Sequence, residues 1–326
     1  MCYKDELQRK NAEKLQRKFE EDRVPGFIRD YFYNLNSEAG KLNYYSIIMS
    51  ALKWMIEEKR IKKDSIAEIE KSDLNSLSKT DIIVYLERLI ANGTSPSTVN
   101  TKKNVLSSFW THLVDEDICN KNIVQSIPKS KFKIKKKNSA KVPLPEDMME
   151  MIENIKKKKD DFVRERNLIV LRVLKGTGLR ESELAGLNLS DLYLDCEKPY
   201  ITVMGKGVYY VQDAEKVLIS KDAKEAFLEW FEIRNKVENI VDENAVFLNK
   251  NGKRLSEYNI SDIFKNYSNG KISAHMIRHL YATILYQESN HDVALVQEQL
   301  RHADVNTTIG TYANSDHRSY GVVENI

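Results

Sequence analysis

Cysteine is scarce in this chain of 326 residues, and the three that occur, Cys2, Cys119 and Cys196, lie far apart. No two of them have the CxxC spacing of a zinc site, and an odd number of scattered thiols does not indicate a disulfide framework. We therefore expect free thiols in a reducing cytoplasm.

Long hydrophobic runs are missing as well. No stretch of about 18 apolar residues occurs, so the sequence predicts no transmembrane helix and no membrane partner. The first 20 residues are mostly charged or polar, unlike a secretory signal. With 41% hydrophobic residues, the chain still has enough apolar side chains for one to three domains with their own cores.

A large excess of one charge is also absent, since the formal net charge is +3. The total alone therefore does not indicate a nucleic-acid-binding protein. The distribution tells more, because residues 128–145 hold seven lysines and three prolines without an amphipathic period. We predict a linker here. Its lysines are either simply solvated or aligned along a DNA backbone, the residues in question being Lys129, Lys131, Lys133, Lys135, Lys136 and Lys137.

The remaining pattern predicts a mainly α protein with a small antiparallel β-sheet. In order, we expect a charged N-terminal helix or arm, a helical domain, the linker and a second domain, at residues 1–24, 25–127, 128–144 and 145–326. Leu7, Leu15 and Phe19 share a helical period in the first segment. That segment is either a solvated, frayed helix or an arm that docks on DNA or on a neighbouring protomer.

Capping residues mark several helix ends. Ser78 precedes an apolar stripe that has Asp81 in its first turn, and Asn92-Gly93 follows it, as expected for the two ends of one helix. Ser95 and Pro96 predict the start of the next helix.

The second domain is predicted to begin with helices at Pro145 and over residues 161–175 and 181–188. Short strands and a Gly205-Lys206-Gly207 turn follow, the strands being Leu192–Leu194, Tyr200–Met204, Val208–Val211 and Lys216–Ile219. Helices over residues 222–235 and 256–267 and a mostly helical remainder complete the domain.

Arginine, histidine and tyrosine occur here in an order suited to phosphoryl transfer without a metal. Arg180 and Arg278 can bind phosphate bidentately and keep their charge, and the Tyr312 hydroxyl can attack phosphorus. His275 and His279 have the spacing of two metal ligands on a helix, but no HExxH glutamate and no third ligand accompany them. We therefore expect no metal and no cofactor.

These residues stand in motifs that resemble those of the tyrosine recombinases, which include phage integrases and Xer-like proteins. The motifs are Gly176-Thr-Gly-Leu-Arg180-x-x-Glu183-Leu, His275-x-x-Arg278-His279-x-x-Ala282-Thr283, Leu300-x-His302, and Tyr312 ten residues later. The resemblance covers about residues 145–315, with agreement in order, spacing and predicted secondary structure. The preceding domain, with its Phe109-Trp110 helix, looks like the core-binding domain of that family.

The resemblance implies a site-specific DNA recombinase that cleaves and rejoins strands through a 3′-phosphotyrosyl intermediate. Arg180 and Arg278 would hold the scissile phosphate, and Tyr312 would attack it. The other motif residues would assist: His275 as the nearby base, His302 as a phosphate ligand, Glu183 as a supporting residue and Lys206 as the general acid for the 5′-hydroxyl.

The resemblance also implies a two-domain DNA clamp and its partners. These are double-stranded DNA with a specific recombination site, a homo-tetramer on synapsed DNA, and accessory proteins, all in the cytoplasm at the nucleoid. Integration of a mobile element, excision, inversion and dimer resolution all stay open.

Three features depart from the family pattern. Arg301 stands where the family usually has glycine, the segment 207–216 is longer than the usual hairpin, and 14 residues follow the tyrosine. Val322, Val323 and Ile326 would form a short apolar version of the C-terminal segment that family members pass to a neighbour.

Three other functions fit parts of the pattern. A type IB topoisomerase uses similar chemistry, but the separate helical domain and the Xer-like spacing favour a recombinase. A catalytically silent DNA-binding regulator would lack a clamp arginine or the tyrosine, and the sequence contains all of them. A metal-dependent hydrolase would need ligands that the sequence does not offer.

Overall fold

Helices dominate the computed structural model, which describes residues 3–128, 131–132, 142–204 and 214–301. Within these residues the α-helices are α1 (Tyr3–Glu21), α2 (Gly26–Tyr33), α3 (Glu38–Glu57), α4 (Lys71–Ser76), α5 (Lys79–Ala91), α6 (Pro96–Asp115), α7 (Pro145–Lys156), α8 (Asp161–Thr177), α9 (Glu181–Gly186), α10 (Lys221–Arg234), α11 (Glu257–Tyr267), α12 (Ala274–Glu288) and α13 (Val293–Leu300). The strands are β1 (Leu192–Tyr193), β2 (Tyr200–Val203) and β3 (Glu215–Leu218). The predicted fold class, mainly α with a small antiparallel sheet, is confirmed. None of the described helices is both long and apolar enough to cross a bilayer.

Helices α1 to α6 belong to the first of two compact units into which the chain divides, Met1–Lys136 and Lys137–Ile326. Their inward faces form one hydrophobic cluster. Phe109 and Trp110 on α6 lie in it, at most 1% exposed, with ring centroids 5.4 Å apart in an edge-to-face arrangement. Such a cluster explains the apolar stripes that the sequence shows in this region.

The second half of α1 belongs to this core. Leu15 and Phe19 are 3% and 1% exposed, and the Phe19 ring lies 5.3 Å from that of Phe32 and 5.6 Å from that of Tyr45. Burying each of these side chains stabilises the fold by roughly 1.5–3 kcal/mol. A solvated, frayed helix is therefore the wrong description of this half, whereas Leu7, nearer the start, is exposed.

Two predicted helix starts are confirmed by their caps. The Ser78 hydroxyl accepts a hydrogen bond from the Asp81 N–H, and the Asp81 carboxylate accepts one from the Ser78 N–H at 2.9 Å. The Ser95 hydroxyl accepts one from the Thr98 N–H at 3.2 Å. Between these two helices Gly93 has a φ of 82°, the left-handed conformation of a helix end.

Part of the predicted linker packs on the first unit. Phe132 is 4% exposed within the cluster, and its carbonyl accepts a hydrogen bond from Asn100 Nδ2 at 2.7 Å. Lys131 Nζ lies 2.7 Å from Glu87 Oε1. An apolar side chain among lysines thus extends the first core past residue 128, while the other domain boundaries stay a prediction.

Close packing of α8 against α10 shapes the second unit. A Cβ atom on Gly176 would lie 2.3 Å from Ser220 Oγ and 2.7 Å from the Ala223 Cβ, so only glycine fits there. Trp230 of α10 is fully buried, and its Nε1 donates to the Val246 carbonyl at 2.7 Å. These contacts fix the end of α8, where the first recombinase-like motif begins.

The small sheet has the order β1-β2-β3, with antiparallel neighbours. The Tyr193 and Tyr200 rings stack at 4.5 Å, and Lys216 Nζ lies 4.8 Å from the Tyr200 ring centroid. Three predicted strands are therefore confirmed. The fourth, Val208–Val211, and the Gly205-Lys206-Gly207 turn lie outside the described residues.

Candidate active site

Arg180 stands at the junction between α8 and α9. Helix α8 ends at Thr177, and Gly178 follows as its C-cap with a φ of 62° that turns the chain. Arg180 then precedes α9 as its N-cap. The Arg180 N–H donates to Glu183 Oε2 at 2.8 Å, and its Nη1 donates to Glu183 Oε1 at 2.6 Å. The Arg-x-x-Glu spacing therefore makes a local pair that directs the guanidinium toward the second motif.

Arg278 enters the same place from α12. It is 2% exposed, and its Nη1 donates to the Gly178 carbonyl at 2.7 Å while lying 3.7 Å from Glu183 Oε2. Its Nη2 donates to the Leu300 carbonyl at the end of α13. The structure thus joins the first two motifs to the residues immediately before His302.

Gly178 makes this junction possible. A Cβ atom there would lie 2.3 Å from Tyr281 Cδ1, and the left-handed φ already disfavours any other residue. The Tyr281 ring of α12 therefore covers the turn closely, and this holds α12 at the distance where Arg278 reaches the Gly178 carbonyl.

Arg301 is a third arginine in the cluster, and the sequence motifs alone give it no role. Its Nη2 donates to Glu183 Oε2 at 2.6 Å, and its side chain is 2% exposed. Its own carbonyl accepts a hydrogen bond from Arg180 Nη2 at 3.4 Å. The signal that could have revealed it is its departure from glycine, because Arg301 has a φ of 54° at a position that favours glycine.

Glu183 is the common partner of these arginines, and its supporting role in the reaction stays a prediction. Burial alone would raise its pKa, but the charges of Arg301, Arg180 and Arg278, with the hydrogen bond from the Arg180 N–H, lower that pKa below its ordinary value. The carboxylate is therefore ionised at neutral pH and is surrounded by more positive than negative charge.

His275 lies one helical turn before Arg278 on α12, so both side chains share a face. It is exposed overall, yet partial burial of the ring and the charges of Arg278 and Arg180 lower its pKa. The imidazole is therefore neutral at neutral pH and can accept a proton. Its ring centroid lies 4.3 Å from that of His279.

The other predicted site residues lie outside the described part of the chain. Lys206 falls in residues 205–213, and His302 and Tyr312 fall in residues 302–326, as does the apolar tail formed by Val322, Val323 and Ile326. Of the six predicted DNA-binding lysines only Lys131 is described, in its contact with Glu87.

Helix α13 is tied to the strand that follows the Lys206 segment. The Leu218 N–H of β3 donates to Gln299 Oε1 at 3.1 Å, and Arg301 Nε lies 3.8 Å from Glu215 Oε2.

Across residues 3–128, 131–132, 142–204 and 214–301, no group of three or more His, Cys, Asp or Glu side chains could hold a metal ion. The described cluster offers cations for an anionic group instead.

Several known proteins resemble this chain in sequence. The model of the phage integrase family matches residues 144–318. The chain is 31% identical over 243 residues to tyrosine recombinase XerC of Thermodesulfovibrio yellowstonii, covering 72% of this chain and 77% of that protein. It is 30% identical over 297 residues to tyrosine recombinase XerD of Oceanobacillus iheyensis, covering 86% and 91%.

Solved structures share the fold. The XerH site-specific recombinase bound to its palindromic difH substrate matches with a TM-score of 0.64 and 23% identity, covering 89% of this chain and 80% of that one. The Tn1549 transposon integrase in complex with a circular intermediate DNA matches with a TM-score of 0.63 and 19% identity, covering 92% and 99%. The chain belongs to the phage integrase family, among its tyrosine recombinases of the Xer type.

Proposed function

We propose that this protein recombines double-stranded DNA at a specific site through a 3′-phosphotyrosyl intermediate formed by Tyr312. The observation that carries the proposal is the meeting of Arg180 and Arg278, from two separate motifs, on the buried carboxylate of Glu183. Guanidinium groups fixed in this way can neutralise a scissile phosphate as negative charge develops on it.

The proposed reaction has two steps, cleavage of one strand and rejoining to another. The Tyr312 oxygen attacks phosphorus and the bond to the 5′-oxygen breaks, so that the phosphodiester becomes a phosphotyrosine ester. His275 assists removal of the tyrosine proton, and Lys206 protonates the departing 5′-oxygen. His302 donates to the phosphate, and a 5′-hydroxyl from another strand later reverses the step.

We also assign the finer features of the function. Two duplexes are synapsed by a homo-tetramer, with accessory proteins where a site needs them, and the protein acts in the cytoplasm at the nucleoid. The lysines of the predicted linker contact phosphates of the bound duplex, namely Lys129, Lys131, Lys133, Lys135, Lys136 and Lys137. Integration of a mobile element is one outcome of the reaction. Affinity for DNA is then electrostatic and falls steeply with salt.

The test uses nicked duplexes that carry inverted repeats found beside the gene, with half-sites of about 11 base pairs. The full-length protein is expected to form a DNA adduct that survives detergent, in the presence of a chelator as well as in its absence. Tyr312→Phe is expected to form none while binding the same DNA. Native gels of the complexes, run as a salt series, report the number of protomers and the electrostatic share of affinity.

Two results would contradict the proposal. An adduct formed by Tyr312→Phe would mean that another residue is the nucleophile. Relaxation of supercoils by a monomer on any sequence would favour a type IB topoisomerase instead. The recombinase relatives do not favour that alternative.

A further inference from the structure

We propose that Arg301 is a positioning residue of the recombination site, where its buried guanidinium binds Glu183 and leaves the charge of Arg180 and Arg278 available for the scissile phosphate. The inference rests on the proposed function of the same site. It concerns the one motif position where this chain replaces the usual glycine by a long cationic side chain.

The backbone at this position argues against a residue that is there by chance. Arg301 ends α13 with φ 54° and ψ 50°, the left-handed conformation that glycine adopts most readily. An arginine is disfavoured there by contact of its Cβ with the backbone. Arg23 and Lys59 also adopt this conformation, so the side-chain contacts of Arg301, which a glycine would not make, have to carry the inference.

Both terminal nitrogens of the Arg301 guanidinium donate hydrogen bonds. Nη2 donates to Glu183 Oε2 at 2.6 Å, across a separation of 118 residues, and Nη1 donates to the Gln299 carbonyl at 2.7 Å. Nε has no hydrogen-bond partner in the described part of the chain and lies 3.8 Å from Glu215 Oε2. With 2% of its side chain exposed, Arg301 is held in this geometry rather than free in solvent.

The contact between Arg301 and Glu183 changes the net charge around Arg180 and Arg278. Among the residues that the structure describes, Glu183 would without Arg301 face Arg180 and Arg278, and its carboxylate would offset half of their charge. Arg301 places a third guanidinium on Oε2, the same oxygen that lies 3.7 Å from Arg278 Nη1. Arg301 enlarges the surplus of positive charge that Arg180, Arg278 and Glu183 already carry, and the half-exposed carboxylate of Glu215 offsets this gain only in part. Preorganised charge of this kind near a phosphate lowers the barrier to cleavage.

The backbone of the same turn supports both clamp arginines. The Leu300 carbonyl accepts from Arg278, and the Arg301 carbonyl accepts from Arg180 Nη2 at 3.4 Å. Anchoring the Arg301 side chain on Glu183 and Gln299 therefore also fixes these two carbonyls. Arg301 acts through Arg180, Arg278 and Glu183, and it needs no contact with DNA.

The experiment compares Arg301→Met, Arg301→Gly and Arg301→Lys with the wild-type protein on the nicked duplex described above. We expect the methionine and glycine variants to form the covalent adduct at least tenfold more slowly at unchanged DNA affinity. We expect the lysine variant, which restores the charge, to recover to within about threefold of the wild-type rate. Glycine relieves the backbone, so its slow cleavage cannot be attributed to a misfolded turn.

Arg164→Met is the matched control. Arg164 lies near the start of α8, at the opposite end of that helix from Gly178, and it also pairs with carboxylates, at 2.6 Å to Asp161 and 3.0 Å to Glu165 of the same helix. Its removal is expected to leave the cleavage rate unchanged. A slow reaction in this control as well would mean that loss of any paired arginine of the unit slows cleavage, and it would overturn the inference.

A pH profile separates positioning from a merely structural role. Loss of the Arg301 charge should raise the pKa of Glu183, which then keeps Arg180 and Arg278 as its described cationic partners. As the pH is lowered, the cleavage rate of Arg301→Met should therefore begin to fall at a higher pH than the cleavage rate of the wild type. The other described titratable groups in range include Glu215, which faces Arg301, Tyr281, on which the charges of Arg301 and Arg278 act, and His275, whose pKa the clamp arginines already lower. The lysine variant is the control for these groups, because it keeps the charge at position 301. Its cleavage rate should fall in acid at the same pH as that of the wild type.

The failures are distinguishable. If the wild-type protein forms no adduct, the proposed function is wrong and this inference falls with it. If the wild-type protein forms the adduct and Arg301→Gly forms it equally fast, with a higher melting temperature, Arg301 is merely tolerated in its turn and only this inference is overturned.

Discussion

At the scale of single residues, the carboxylate of Glu183 connects the described parts of the site. Its side chain is 4% exposed and has Arg180, Arg278 and Arg301 within 3.7 Å. A buried ion cluster of this kind adds little stability over an apolar core, but loss of one member leaves the others buried and unpaired. Its value to the protein is therefore the fixed position of the guanidinium groups.

Glu183→Gln tests this dependence. The amide keeps the shape of the side chain but removes the buried negative charge that the three arginines share, so the free energy of unfolding should fall by about 3 kcal/mol. Urea denaturation measures the difference. Glu225→Gln is the control, since Glu225 makes an exposed 3.9 Å pair with Lys221 and should change stability by less than about 0.5 kcal/mol. Equal effects of the two substitutions would contradict the assignment.

The difference in stability between the wild-type protein and Glu183→Gln should also depend on pH. The folded-state pKa of Glu183 lies below its ordinary value of 4.5, so its ionised form contributes stability at pH values above 4.5. That contribution is lost as the pH falls through the folded-state pKa. The stability difference between wild type and Glu183→Gln should therefore be constant near neutrality and shrink in acid, measured by urea denaturation at a series of pH values. A difference that grew in acid would have the wrong sign.

At the scale of elements, the contact of α8 with α10 positions the first motif. Helix α8 ends at Thr177, directly before Gly178 and Arg180, so a displacement of its end would move the clamp. Gly176 lies in this contact, where a Cβ would approach Ser220 Oγ to 2.3 Å. Close approach of the two helices, rather than a turn, is why glycine is needed at this place.

Gly176→Ala should destabilise the protein by about 1–3 kcal/mol, because the added methyl group forces α8 and α10 apart. Thermal unfolding followed by circular dichroism measures the effect. Gly26→Ala is the matched control, since a Cβ on Gly26 at the start of α2 would meet nothing within 4 Å. That change should be neutral or slightly stabilising. Indistinguishable melting temperatures for the two variants would disprove the packing argument.

At the scale of the whole molecule, the two units have separate hydrophobic cores. The buried members of the first cluster run from Leu15 to Phe132, and those of the largest cluster of the second unit run from Met148 to Ile277. The main apolar cores thus do not share residues across the unit boundary. Independent folding of each unit is the expected consequence.

A fragment of residues 1–136 should therefore fold by itself into a helical domain. We expect a single cooperative urea transition in circular dichroism, because all buried members of the first cluster are present. A fragment of residues 1–94 is the control. It lacks α6 with Phe109 and Trp110, and it should show no cooperative transition. Non-cooperative unfolding of the longer fragment would mean that the first core depends on the second unit.

Local features of the fold could be predicted from the sequence. The starts of α5 and α6 followed from Ser78 and Ser95, because a cap is a hydrogen bond between residues two or three apart. The exception is Phe132, an apolar residue flanked by lysines. Its burial depends on the surface of a helical domain that the lysine-rich stretch itself does not specify.

The site could be predicted only in part. The order and spacing of the motifs pointed to Arg180, Glu183, His275 and Arg278, and the structure brings the two arginines together on Glu183. Lys206, His302 and Tyr312 stay predictions, since they lie outside the described residues. Arg301 was visible as a departure from the family pattern, but nothing near it in sequence indicated the residue it binds.

The sequence by itself determined the helix ends, the order of the motifs and the kinds of side chain available for phosphate, because these depend on neighbouring residues and on residue type. Only the tertiary structure decided that Arg301 shares Glu183 with Arg180 and Arg278. This contact joins residues 118 positions apart, and it exists because α8, α12 and α13 meet around Gly178. A local sequence pattern cannot predict a contact between residues so far apart in the chain, because that contact results from how the helices pack.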